Sequence, residues 1–147
     1  MIENLQALFI RDLTKLKTEI EAYQNEDAIW KTDKNISNSA GNLALHLVGN
    51  LNTYIGAQLG NSGYIRRRDL EFSLKDIPKA ELIQQIKEAT GTVTVTLDNL
   101  SAEDLEKEFP GEPLGFTMTT GYFLIHLFGH LSYHLGQINY HRRMLDE

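Results

Sequence analysis

The segment "HLFGHLSYHLGQINYHRR", His126 to Arg143, holds four of the five histidines in the chain. His126, His130 and His134 stand four residues apart within a run that is otherwise mostly apolar. On a helix each four-residue step turns by about 40°, so the three imidazoles fan across one side over two turns. Two of them, one turn apart, can meet a single metal ion, whereas all three from one straight helix cannot. A further ligand must come from elsewhere, and His46, in the Leu-rich segment "NLALHLVGNL", is the only other histidine. Three neutral imidazoles with open positions for water or substrate form the usual ligand set of a catalytic metal site. The metalloprotease pattern HExxH is excluded, because Leu131 follows His130 and no carboxylate stands nearby to act as base. Against the metal stands an interaction module in which the ladder packs as ordinary hydrogen-bonded histidines.

Other polar residues fall where they can serve the same site. Gln137 follows His134 by three, Tyr133 follows His130 by three, and Asn50 follows His46 by four. Each can orient a ligand or bound water, and each can equally make a plain interhelical contact. Arg66, Arg67 and Arg68 are the one dense basic patch. Arg66 and Arg68 are candidates to grip a carboxylate or phosphate; otherwise Arg68 pairs with Glu71 or Asp69 and the patch is solvated. His126 is a candidate for a substrate contact beside the metal. His141, among Arg142 and Arg143, is expected to be solvated at a helix end, where positive charge is favoured.

The elements that must position these residues are helical. Ile2, Leu5, Leu8, Phe9, Leu13, Leu16 and Ile20 predict an amphipathic helix from Glu3 to Tyr23. A polar loop containing Trp30, expected to plug one end of the core, precedes a second helix. Ser37 or Ser39 can cap that helix, and it is predicted to end at Gly60. "NSGYIRRRDLEFSLKDIP" is too irregular for helix or strand and reads as a long crossover loop. Pro78 opens a third helix with Leu82, Ile86, Val93 and Leu97 on one stripe. "GTVTVT" within it looks strand-like, but the stripe continues to Leu100 and a lone strand would have no partner. "SAEDLEKEF" carries a capping-box pattern and predicts a short helix. Thr119 or Thr120 caps the last helix, which runs to Met144. Gly129 and Gly136, seven residues apart, can admit the close approach of a neighbouring helix or a dimer mate. Four long helices predict an all-α four-helix bundle, one domain over residues 1–147.

Composition narrows the classes further. With no cysteine, the chain has no thiolate nucleophile, disulfide or Cys-based zinc site, as expected of a protein in a reducing cytoplasm. Fourteen basic against 20 acidic side chains give a net charge of −6, which disfavours nucleic-acid binding. The charged N-terminal segment is neither a signal nor a transit peptide, and no apolar stretch reaches membrane-spanning length.

"HLSYHLGQINYHRR" resembles the closing signature of the DinB-like superfamily, a His-x-x-x-His pair followed by Gly-Gln and a basic end. "SNSAGNLALHLVGNLNTYI" resembles the other histidine segment of that superfamily, and "GYIRRRDLEFS" is similar to an Arg-rich loop of an uncharacterised bacterial subgroup. The resemblance implies an up-down-down-up four-helix bundle, with the long connection after the second helix. It also implies a divalent metal on His46, His130 and His134, often within a homodimer. Neutral imidazoles suit zinc, nickel, iron or copper, and zinc or nickel is the expected ion. Related members include bacillithiol- and mycothiol-dependent transferases, so the resemblance points to a low-molecular-weight thiol and a thiol-dependent transfer. Metal-assisted hydrolysis is the other activity such a site supports. The rival reading is a non-enzymatic dimeric bundle of a stress response, its metal structural or absent.

Overall fold

The computed structural model describes residues 1–147 as an all-helical chain without strands. Six α-helices follow in order: α1 (Ile2–Glu21), α2 (Ala40–Leu51), α3 (Arg68–Ser73), α4 (Lys79–Asp98), α5 (Ala102–Glu106) and α6 (Thr120–Leu145). A 3-10 turn, Glu26–Trp30, lies between α1 and α2, and a π-helical segment, Asn52–Ala57, extends α2. The long helices α1, α2, α4 and α6 enclose one hydrophobic core. Around it α1 packs on α4 and α6, and α2 packs on the same two, so α1 and α2 lie across the core from each other. No helix is long and apolar enough to cross a membrane.

The apolar stripes produce this packing directly. Leu5, Phe9, Leu13, Leu16 and Ile20 of α1 are all buried, as are Leu82, Ile86, Val93 and Leu97 of α4. Through Thr90 and the "GTVTVT" stretch that follows it, helix prevails over local strand propensity. Thr90 Oγ1 donates to the Ile86 carbonyl at 2.7 Å and Thr94 Oγ1 to that of Thr90 at 2.8 Å, so both hydroxyls are satisfied inside the helix. Ser39 caps α2 by accepting from the Asn42 amide, Ser101 and Asp104 complete a capping box on α5, and Thr119 caps α6. Trp30 is buried against the backbone of Gly41, where any Cβ would fall 2.5 Å from the indole ring.

Two expectations need correction. The stretch after Asn61 is not wholly irregular: it contains α3, whose first turn carries Asp69 and Glu71 where negative charge favours a helix start. Asn42 fastens α3 to the start of α2, its Nδ2 donating to the carbonyls of Glu71 at 2.9 Å and Leu74 at 2.8 Å. Such a short helix has too few residues to show a period. His141, expected in solvent, is buried with 4% exposure. Its Nε2–H donates to the Lys31 carbonyl at 2.8 Å, and Nδ1 accepts from Tyr23 Oη at 2.6 Å. Because a carbonyl only accepts, this pair of partners fixes the tautomer. Burial pushes the His141 pKa below its ordinary value.

Candidate metal centre

α2 packs against α6, and the pair brings three imidazoles to one point. His46 Nε2 lies 3.1 Å from His130 Nε2, and His134 Nε2 lies 3.2 Å from the same atom. The three ligand nitrogens all fall within 4.8 Å of one another. The rings of His130 and His134 stand at 89° with centroids 4.5 Å apart, and that of His46 meets His130 at 78°. Edges, not faces, point at the common centre.

Hydrogen bonds at the far side of two rings fix what those edges carry. His46 Nδ1–H donates to Glu71 Oε1 at 3.0 Å, which leaves a lone pair on Nε2. His134 Nδ1–H donates to Gln137 Oε1 at 2.7 Å, with the same result. His130 Nε2 therefore faces two lone pairs. If it bears a proton, it satisfies only one of them and leaves Nδ1 a buried acceptor. If it bears none, three lone pairs converge, and Nδ1–H is a buried donor. In either case His130 Nδ1 has no hydrogen-bond partner. A cation at the centre removes the conflict among the three Nε2 atoms and leaves His130 Nδ1–H as the one ring donor without an acceptor. With metal–nitrogen bonds of about 2.0–2.1 Å, nitrogens stand about 2.9 Å apart at right angles and about 3.4 Å apart in a tetrahedron. The separations of 3.1 and 3.2 Å lie between these limits. These two separations suit a metal ion shared by the three imidazoles.

Electrostatics point the same way. Burial, reinforced by the neighbouring imidazoles, lowers the His130 pKa to about 4. Burial lowers that of His134 too, against the opposing effect of the hydrogen bond it donates to Gln137. Neutral rings are the ligand form. Glu71 is buried at 6% exposure; burial raises its pKa, but hydrogen bonds from His46 and Arg66 outweigh that and hold it below the ordinary carboxylate value. Arg66 grips both oxygens, Nε to Oε2 at 2.9 Å and Nη2 to Oε1 at 3.0 Å. An arginine–carboxylate–histidine relay therefore stands behind the cluster, orienting His46 and strengthening its lone pair.

Glu71 is the functional residue that sequence reasoning does not single out, naming it only beside Asp69 as one possible partner of Arg68. Arg68 instead rests over the Phe72 ring, 5.2 Å from its centroid, and makes no ion pair. Gly49 was missed altogether. A Cβ there would lie 1.9 Å from Glu71 Oε2, so only glycine admits the carboxylate to the flank of α2. The available signal was its place three residues after His46, at helical cost.

The remaining candidates are dispersed around the cluster. His126 is exposed and stacks on Phe123 with the rings 8° from parallel, outside the converging set. Tyr133 is 66% exposed and touches the edge of His134 without a hydrogen bond. Asn50 is 7% exposed and does not bond His46; its Oδ1 is buried with no partner. Two cavities flank the cluster. His134 lines a groove of about 490 Å³ with Tyr133, Gln137 and Tyr140. His46 and His130 line a pocket of about 200 Å³ on the other side, with Asn50, Arg66, Arg68 and His126.

A family model described as "Protein of unknown function (DUF1572)" matches residues 3–147. Its domain is of the DinB-like type that the closing His-x-x-x-His motif resembles. No curated protein matches the chain.

Proposed function

We propose that this chain, which belongs to the DUF1572 family, is a metal-dependent enzyme whose His46, His130 and His134 hold one divalent ion. The observation that carries the reading is the convergence of the three Nε2 atoms, with two contacts at 3.1 and 3.2 Å that a single proton on His130 cannot both satisfy. When bound, such an ion lowers the pKa of a coordinated water or external thiol into the working range. The chain's residues supply the rest. Glu71 and Gln137 hold His46 and His134 in the ligand tautomer. Arg66 holds Glu71 in its ionised form.

Thiol-dependent transfer is the activity favoured, with metal-assisted hydrolysis as its competitor. Two cavities reach the cluster from different sides, as a reaction joining two substrates requires. Because the chain has no cysteine, the thiol must be a small molecule. The test is to load the protein with zinc or nickel and add a low-molecular-weight thiol such as bacillithiol. A charge-transfer or X-ray absorption signature of sulfur at the ion supports transfer. Ligation by solvent alone at saturating thiol contradicts it.

A second reading, a dimeric bundle of the up-down-down-up order with a structural metal, draws on one face of α6. Tyr122, Ile125, Tyr133 and Tyr140 are each more than half exposed there, and nothing lies within 4 Å of a Cβ built at Gly129 or Gly136. Sedimentation of wild type beside Tyr133→Glu/Tyr140→Glu decides it. A wild-type dimer that the double variant splits, with metal retained, supports a homodimer on this face; a monomeric wild type contradicts it.

A further inference from the structure

α3 is too short to hold its own shape, yet it carries the carboxylate that orients His46. A six-residue helix closes few of its own hydrogen bonds, and its last carbonyls have no partner within it. Asn42 of α2 supplies those partners. Its Nδ2 donates to the carbonyl of Glu71 at 2.9 Å and to that of Leu74 at 2.8 Å. Its Oδ1 accepts from Ser39 Oγ at 2.7 Å and from Lys75 Nζ. Both donors and both acceptor positions of the amide are thus used, in a residue that is 1% exposed. Asn42 stands three residues after Ser39, the cap of α2. A polar side chain at that position ordinarily reaches back to the backbone of the cap, whereas this one turns across to α3.

Asn42 precedes His46 by four, so the two project from one side of α2, a turn apart. α2 therefore holds Glu71 at two points, its carbonyl through Asn42 and its carboxylate through His46 Nδ1–H at 3.0 Å. Arg66 also grips that carboxylate, but it comes from the same connection as α3 and does not tie it to α2. We infer that Asn42 is a positioning residue that acts on His46 through Glu71. By fixing the backbone of Glu71, it sets where the carboxylate meets Nδ1–H and so how His46 presents Nε2 to the cluster. Lys75 assists, since a positive charge on Oδ1 polarises the amide and strengthens its two donors. That purpose rests on the metal reading, whereas the hydrogen bonds that serve it belong to the chain alone.

The test compares wild type with Asn42→Ala, Lys75→Met, Glu71→Gln and the double variant Asn42→Ala/Glu71→Gln. Zinc affinity is measured by competition with a chelator, and helicity by circular dichroism. Proton–nitrogen NMR follows the His46 Nδ1–H of the metal-free protein. Asn42→Ala should lose about tenfold in zinc affinity, and its Nδ1–H signal should weaken by faster exchange with water. Lys75→Met should show both effects to a smaller degree. Removing a positive charge would by itself favour a cation, so a loss there reports on the amide. Because Asn42 acts through Glu71, the double variant should bind zinc within about twofold of Glu71→Gln alone. Tyr23→Phe, which loosens the protein away from the cluster, should leave the zinc affinity and the signal unchanged. Fully additive losses overturn the inference, as does a wild-type signal in Asn42→Ala. Should Asn42→Ala not fold, an unchanged signal and affinity in Lys75→Met overturn it instead. A wild type that takes up no zinc, with a signal that still depends on Asn42, sustains the positioning role and sinks the metal centre. Stoichiometric zinc held equally well without Asn42 does the reverse.

Discussion

At the scale of single residues, Glu71 and Gln137 hold two of the imidazoles in ligand form. Glu71 reaches His46 Nδ1, and its removal alters the metal through His46 alone. Glu71→Gln should therefore keep the fold and weaken metal affinity by about 10–100-fold, measured by competition with a chelator. Gly49→Ala supplies a sharper test. In an ordinary helix interior this change stabilises by about 1 kcal/mol. Here the new methyl would displace a carboxylate that Arg66 and His46 pin in place. Metal affinity should fall by a similar factor, and thermal stability should not rise; a gain in both would contradict the relay. The pH dependence has a definite sign. His130 titrates near 4 when folded against 6.5 when unfolded, so the unfolded chain binds more protons between those values. The stability of the metal-free protein should accordingly be full above pH 6.5 and fall as the pH drops towards 4. His141 and Glu71, both held below their ordinary values, act in the same direction. Urea melts of chelated protein across that range check the slope.

At the scale of elements, α1 and α6 are tied by a contact that does no chemistry. Tyr23 Oη donates to His141 Nδ1, and His141 Nε2–H reaches the backbone of Lys31 in the 3-10 turn's exit. Tyr23→Phe leaves a buried acceptor unpaired and should cost about 1–3 kcal/mol, read as a lowered urea midpoint with metal content unchanged. The contact also explains an error of sequence reading. Charged neighbours Arg142 and Arg143 made His141 look solvated, yet a helix turns successive residues by about 100°, so its ring faces inward while theirs do not. The long helices were legible because their apolar stripes run for several turns, and the caps at Ser39, Ser101 and Thr119 were legible from side-chain type. The π segment after α2 and the short α3 were not, since neither leaves a period in the sequence. The histidines that converge were legible from spacing and resemblance together. Glu71 was hidden because it comes from α3, and only the fold shows which partner a short helix meets.

At the scale of the whole molecule, the core is large enough that the metal is not needed for folding. A single cluster of buried side chains joins α1, α2, α4 and α6, and the imidazoles lie at its edge. Removing the ion should leave the far-UV circular dichroism of a helical protein intact. It should still lower the melting temperature, since a ligand at one hundred times its dissociation constant stabilises by about 2.7 kcal/mol. Loss of helicity on chelation would make the site structural and favour the dimeric reading.

The most direct test of the central claim is elemental analysis of untagged protein beside His46→Ala and His134→Ala. One zinc or nickel per wild-type chain is expected, lost from both variants while their helicity persists, because the ligands come from two different helices. A wild type that is empty and takes up neither metal on titration, or variants that retain it in full, would contradict the metal centre.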